Sequence, residues 1–400
     1  MNKHSAVRAP RSAVVIVGAG PAGASLAIRL AEAGHEATLI EKERFPREKL
    51  CGEFISPECF RHFTEIGVAE EMLSLGGARI TATRFFDAAG RSVNVPTGWF
   101  GHGDFALSLS RARMDNALLS RAKNVGVNVI EAARAVAVEF ADGRIESVTI
   151  KTESGERLDV GGRLFVDATG RAGAVSRLLE KRTEESQRKK PKLVAFKNHL
   201  ESAAIDRDVC EIYVFQGGYG GLSPVEGSRA NLCYIVRAEA AKEFASGISG
   251  HIDLIAGRNR RAAETLRQAI PEGDWLAVPI NSFGKADRPS VENLISIGDA
   301  AAFIDPFTGS GMLMALESAE LFAECVREYG VSTPSLGEAY ARSHARKFRN
   351  RLAASALLRR AAFIPLLATA AIAVTRASDR FRERLARATR SGSPTRERRV

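Results

Sequence analysis

The chain has 400 residues, 45% of them apolar, and 57 Lys plus Arg against 47 Asp plus Glu, a formal charge of +10. That apolar share, without a low-complexity tract, supports a large buried core and two structural domains and excludes a disordered or fibrous chain. Residues 341–400 carry 16 Lys plus Arg against 3 acids, so the rest, with 41 basic and 44 acidic groups, is near neutral and no nucleic-acid partner is expected.

The first elements read as strand, helix, strand. An apolar run over Val14 to Val17 leads into Gly18-Ala19-Gly20-Pro21-Ala22-Gly23, then a helical pattern through Leu26 and Leu30 to Gly34, then a second apolar strand ending in Glu41 and Lys42. Three glycines at this spacing permit a tight turn, close approach of backbone N–H groups to a pyrophosphate, and close helix–strand packing. The helix N-terminus points its positive end at phosphates, and Glu41 is placed to accept from a ribose diol. The segment is a dinucleotide-binding start.

Just beyond it, "FPREKLCGEFISP" (45–57) sets Cys51 between Lys49-Leu50 and Gly52-Glu53. A thiol beside Lys49 and Arg47 suits a proton donor or relay, whereas free cysteine is also a common packing residue. The five cysteines form an odd set without a C-x-x-C pair, and no basic-then-apolar leader precedes the first strand. A reduced, cytoplasmic chain with no metal site is the expectation.

Further on, "SRARMDNALLSRAKNVGVNV" starts a helix near Arg111 and Asp115, and "VAVEFADGRIESVTIKTESGERLDV" reads as strands joined by Asp142-Gly143 and Ser154-Gly155. From about Lys192 to Ser282 strand-like runs dominate. Lys197 and His199, two apart on one of them, share a face and are candidates to hold a substrate oxygen or charged intermediate. "NLISIGDAAAFIDPFTGSGMLMALESAELFAECV" then gives a strand, a Gly298-Asp299 turn, a loop with Pro306, and a long helix opening around Ser310. Asp299 suits ribityl or ribose hydroxyls, and Gly309-Ser310-Gly311 would direct N–H groups at the anionic edge of a flavin ring.

The tail contains "AAFIPLLATAAIAVT" (361–375), uncharged and flanked by Arg359-Arg360 and Arg376. Fifteen residues fall short of the roughly 20 that cross a bilayer, and Pro365 would kink a helix there. Two readings fit: an Arg-framed helix in a membrane interface, or a terminal helix packed on the body with an Arg-rich end after Ser391.

At "GDAAAFIDPFTGSG" the sequence resembles FAD-dependent oxidoreductases with the hydroxylase-like fold, especially the geranylgeranyl-reductase branch. That resemblance implies an α/β architecture: a Rossmann-type, glutathione-reductase-like FAD-binding domain of the hydroxylase subtype over 1–80, 106–185 and 286–335. An inserted substrate β-sheet over 81–105 and 186–285 and a helical basic tail over 336–400 complete it. It implies that Arg111 lies along the FAD, that Asp115 braces its helix, and that Asp167-Ala168-Thr169-Gly170-Arg171 is a third cofactor-side element, with Asp167 and Gly170 in contact. The branch carries P-x-x-K-x-C-G-G at Pro46 to Glu53, near the isoalloxazine. Every element is kept except the last glycine, which is Glu53, so Lys49, Cys51 and Gly52 are expected at the cofactor, and Cys51 and Glu53 as catalytic candidates.

The resemblance implies a hydrophobic small-molecule substrate and NAD(P)H or another reductant as external electron donor. Alkene reduction of an isoprenoid or lipid-like substrate is the first reading, NAD(P)H-dependent hydroxylation of an aromatic or polyketide substrate the alternative, and a non-redox cyclase the third. Flavin-dependent halogenases are similar at "FIDPFTGSG" but carry W-x-W-x-I-P, which two separated tryptophans, Trp99 and Trp275, cannot form. A cytoplasmic protein, at most peripheral at the inner face of a membrane, is expected.

Overall fold

The computed structural model describes residues 7–8, 11–100, 102–180, 191–241, 250–287, 291–332, 334–376 and 378–388. The boundary expected at 185/186 and the Arg-rich end after Ser391 lie outside them.

The opening motif folds as its residues dictate. Ser12–Val17 is a strand of β-branched residues buried on both faces, the habit of a central parallel strand. Gly18 turns the chain at φ +104°, and Pro21 starts the helix Pro21–Glu32, where its missing N–H costs nothing. Ala37–Ile40 returns parallel to the first strand. Five parallel strands then line up in the order Leu294–Ser296, Arg157–Asp167, Ser12–Val17, Ala37–Ile40, Asn128–Ile130. Register sets Asp167 beside both Val17 and Ser296, so the carboxyl ends of strands far apart in sequence open on one crevice. The long helix Gly311–Tyr329 packs on Pro21–Glu32 through a core that includes Leu26, Leu30, Leu313, Leu316 and Phe322.

A second eight-stranded sheet takes strands from two stretches of sequence, Ala82–Phe86 and Ser92–Pro96 joining Leu193–Glu201 through Leu276–Ile280. Strand alternation divides its faces. Phe196, Tyr213, Tyr234 and Val236 pack beneath the short helices Gly250–Ala256 and Arg260–Thr265, and Ala195, Cys233 and Ile235 turn toward the crevice.

The tail folds as three helices, Ser335–Ala362, Pro365–Arg376 and Asp379–Ala388. Pro365 does not kink a continuous helix. One helix ends at Ala362 and the next begins on the proline, again at the position that needs no N–H. The last two helices lie against Ser92–Pro96 and the turn Thr97–Phe100. Among the described residues no helix is long and apolar enough to cross a membrane.

Candidate active site

The crevice and the inner face of the second sheet enclose one cavity of about 670 Å³. On the crevice side it is lined by Gly18, Gly20, Pro21, Ala22, Glu41 and Lys42. Gly170, Asp299, Pro306, Gly309 and Gly311 line it as well. Glu41 is buried, and its two oxygens accept from the Ala19 N–H (2.8 Å) and the Glu43 N–H (3.1 Å), each keeping a lone pair for a ribose hydroxyl.

Four residues expected at the cofactor sit behind this wall instead. A Cβ on Gly23 would stand 1.9 Å from the Gly18 carbonyl oxygen, so Gly23 serves helix–strand packing. Asp167 spends one oxygen on the Thr169 N–H and hydroxyl and the other on the Ser176 N–H and hydroxyl, which holds the turn rather than a ligand. Gly298, at φ +58°, gives way to Ala22, and Ser310 is a fully buried residue at the N-cap of Gly311–Tyr329.

The cavity's charge is positive near the 46–53 loop. Arg111 pairs with Asp115 through two bonds (2.7 and 2.8 Å), and Arg47 reaches the same carboxylate at 2.8 Å. Burial alone would depress Arg111, but Asp115 outweighs it and holds the guanidinium above its ordinary value. Asp115 thus fixes both arginines, whereas the first N–H groups of the helix meet Glu53 and Ser110 rather than Asp115. Lys49, also lining the cavity, is pushed down to about 8 by burial and then by Arg111, Arg47, Lys42 and Arg171.

Glu53 is the centre of the arrangement. It has φ +56°, where the related pattern has glycine, and no exposed surface. Its Oε1 accepts from Lys197 Nζ (2.7 Å) and from the Arg111 N–H (2.9 Å) at the start of the helix Arg111–Asn124. Its Oε2 lies 2.7 Å from His199 Nε2. The half-exposed Glu48 completes the group through Lys197. Burial would raise the Glu53 carboxyl, yet the His199 hydrogen bond and the Lys197 charge hold it below the usual carboxylate range. Lys197 and His199 do share a face, as their spacing predicts. They are buried under the loop, however, and do not line the cavity, so the expectation that they hold substrate is corrected. They are positioning residues for Glu53. Cys51 is half-buried and lines the cavity. Its Sγ accepts from the Glu53 N–H at 3.4 Å and its carbonyl from Asn231 Nδ2 at 3.0 Å.

The opposite wall is apolar: Phe85, Val95, Ile212, Val214, Ile235 and Ile280 from the sheet. Above it lie Leu358, Ala361, Ala371, Ile372 and Thr375 of the tail, so the tail roofs the cavity. Sequence reasoning did not find this roof, nor the bond from Tyr219 on the sheet to Asp305, which lies just before Pro306.

Residues 11–326 match the family model described as FAD binding domain. The chain belongs to the FAD-binding domain family. It is 27% identical over 346 residues to a menaquinone reductase of Mycobacterium tuberculosis strain H37Rv, covering 81% of this chain and 79% of that protein. It is 26% identical over 337 residues to a digeranylgeranylglycerophospholipid reductase of Methanosarcina mazei, covering 82% and 79%. Its fold matches that of the myxobacterial chondrochloren halogenase CndH at a TM-score of 0.74, with 24% identity over 84% of this chain and 80% of that one. The chain is an FAD-dependent oxidoreductase.

The residues present fit the cofactor. The Asp299 carboxyl lines the cavity, receives no hydrogen bond from the described residues, and is pushed up to about 6 by burial, so a hydroxyl donor such as a ribityl chain would satisfy it. Arg47, Lys49, Arg111 and Arg171 in the same cavity match a diphosphate. An anion among them returns Lys49 toward its ordinary value, and a hydroxyl on Asp299 lowers that carboxyl. FAD binding is therefore expected to take up protons near pH 8 and release them near pH 6, read by calorimetry in buffers of different ionisation enthalpy. No uptake at pH 8 would remove Lys49 from the anion's surroundings.

Proposed function

We propose that this FAD-dependent oxidoreductase saturates carbon–carbon double bonds of an apolar isoprenoid or lipid-like substrate, with NAD(P)H or another reductant as external donor. One observation carries the reading: a thiol, Cys51, stands in the cavity wall next to the cofactor-side cations, facing a space whose other walls are aliphatic and aromatic. The two reductases above, whose names describe a quinone and an isoprenoid phospholipid, support it.

FAD, when bound, supplies the hydride to carbon. The chain's residues do the rest. Gly18, Gly20 and Glu41 hold the nucleotide, Arg111 and Lys49 offset its charge, and the apolar walls exclude water. Cys51 holds a proton at Sγ for the second carbon, and the Glu53 N–H on that sulfur stabilises the thiolate left behind. Lys197 and His199 keep Glu53, and so the loop, in place. Cys51→Ser is expected to lower turnover about tenfold, roughly 1.4 kcal/mol, while FAD remains bound. Unchanged turnover would return Cys51 to packing.

The decisive assay follows NAD(P)H oxidation with polyprenyl and phenolic compounds, with and without oxygen, on protein whose flavin is established by absorbance. Substrate-stimulated consumption that requires oxygen would overturn the reductase in favour of the hydroxylase.

The proposal extends to a membrane surface as the source of substrate, contacted through the described part of 341–400. Among the described residues, five of the eight exposed large apolar side chains belong to this part of the tail: Leu357, Leu366, Leu367 and Val374 on its first two helices and Ile364 in the link between them, all but Leu357 lying between Arg360 and Arg376. Apolar anchors with basic neighbours suit an anionic bilayer, each cation adding about 1 kcal/mol. Replacing Leu366, Leu367 and Val374 together with serine is expected to cut co-sedimentation with anionic liposomes at least fivefold, about 1 kcal/mol, without lowering the melting temperature. Equal sedimentation would leave the tail as a roof alone.

A further inference from the structure

Two cysteines from distant parts of the chain, Cys51 and Cys233, line the main cavity as free thiols. Strand alternation puts Asn231, Cys233 and Ile235 on one face of the strand Ala230–Arg237, each about 7 Å from the next. The 46–53 loop lies along that face. Leu50 packs on the apolar cluster that contains Ile235, and the Cys51 carbonyl accepts from Asn231 Nδ2 at 3.0 Å. Glu53 reaches Lys197 and His199, both at 2.7 Å, and these two pair in register with Cys233 and Asn231. The loop is therefore fastened on both sides of Cys233, with Cys51 above it. Cys210, the third thiol in the cavity wall, stands two strands from Cys233, roughly 10 Å, beyond the ~7 Å Cα separation that a disulfide spans. Cys59 and Cys325 are packed in the core behind the crevice.

The two sulfurs have different surroundings. That of Cys51 accepts from the Glu53 N–H at 3.4 Å and sits beside the Arg111 guanidinium, which Asp115 and then this sulfur hold above its ordinary value against burial. An N–H and a cation suit a thiolate, the form that attacks an oxidant. At Cys233 burial, then the Cys51 sulfur, outweigh the Lys197 charge and push the thiol up to about 12, so it stays protonated. We propose that hydrogen peroxide oxidises Cys51 and that Cys233 resolves it, closing a disulfide across the cavity between the 46–53 loop and the second sheet. The O–O bond breaks as one peroxide oxygen bonds to the Cys51 sulfur, leaving a sulfenic acid and a first water. The Cys233 sulfur then displaces the sulfenic hydroxyl: the S–S bond forms, the S–O bond breaks, and the hydroxyl leaves with the thiol proton as a second water. Two thiols lose two electrons, and one peroxide gains them. A dithiol reductant reopens the bond, so the pair keeps Cys51 from the irreversible sulfinic stage. This chemistry requires no particular substrate.

The test treats the full-length, FAD-loaded protein with hydrogen peroxide and identifies the products by mass spectrometry of non-reduced digests, with melting temperature and flavin absorbance recorded for each variant. In the wild type the main product is expected to be a Cys51–Cys233 cross-linked peptide, lighter by the two thiol hydrogens and reopened by dithiothreitol. Cys233→Ser should stop at the Cys51 sulfenic acid, trapped by dimedone at least about tenfold above wild type, and then pass to a sulfinic acid that dithiothreitol does not recover. Cys51→Ser should slow oxidation of Cys233 at least about tenfold, since the remaining thiol is protonated. Cys210→Ser should leave the cross-link unchanged. If Cys233→Ser melts lower than wild type, Cys233→Ala takes its place with the same expected excess of dimedone label. Absence of the cross-link, or a cross-link in which Cys210 replaces Cys233, would overturn the pair. Equal dimedone labelling of Cys51 with and without Cys233 would overturn it as well.

Discussion

Glu53→Ala is expected to destabilise the protein by about 3 kcal/mol or more, because it strips a buried cluster of its only fully buried anion. Lys197 would keep the half-exposed Glu48, but His199 and the Arg111 N–H would lose the carboxylate that each now meets within 2.9 Å. Alanine would also retain the left-handed backbone at φ +56° without a side chain to hold it there. Glu53→Gly separates the two effects. It loses the same carboxylate but relaxes the backbone, so it should be more stable than Glu53→Ala by about 1 kcal/mol. Chemical denaturation of the three proteins measures both quantities, and equal stability of wild type and Glu53→Ala would sink the account.

The same cluster sets a pH dependence. A carboxyl held below its ordinary value gives stability that is present above the usual carboxylate range, about pH 4.5, and is lost as pH falls through the depressed value. An ammonium raised by Glu53 and Glu48 against the effect of burial gives stability that is present below about pH 10.5 and is lost as pH rises through the raised value. The contribution of these two groups is therefore flat between those limits. Glu53→Gln should flatten the acid limb of the stability profile relative to wild type.

Gly18→Ala is the second substitution with a large expected effect, about 3 kcal/mol of stability together with loss of FAD binding. Its φ of +104° excludes a side chain, and a Cβ there would stand 2.5 Å from the Ala168 carbonyl oxygen and 2.9 Å from the Thr169 nitrogen. Both neighbours are backbone at the end of the strand Arg157–Asp167, which pairs with Ser12–Val17, so neither yields without parting the sheet at the cofactor wall. Flavin content and melting temperature should fall together. A variant that retained both would show that the turn is not rigid.

The cofactor half of the site was legible because its signals are local. Strand, glycine turn, proline-started helix and terminal acid occupy residues 12–41, and spacing alone orders them along one βαβ unit. Asp299 was legible for the same reason, as an acid directly after a strand. Asp167, Gly298 and Ser310 were misjudged in role although the motifs were real, while Gly23 has the packing role its place in the fingerprint predicts. A motif marks where backbone must come close, and it does not say whether the close partner is a ligand or the protein's own chain. The departure at Glu53 was visible as a departure, but what it does was not. Its partners are 58, 144 and 146 positions away.

The sequence by itself therefore determined the nucleotide-binding architecture, the flavin cofactor and the placement of a thiol just past the fingerprint, since each rests on contacts within a few residues. Tertiary structure alone decided the rest. It buried Lys197 and His199 behind Glu53 instead of in the cavity and turned the tail into a roof. Those outcomes depend on which sheet face meets which loop. Strand alternation fixes that face only relative to its own strand, and the packing of distant elements chooses what lies opposite.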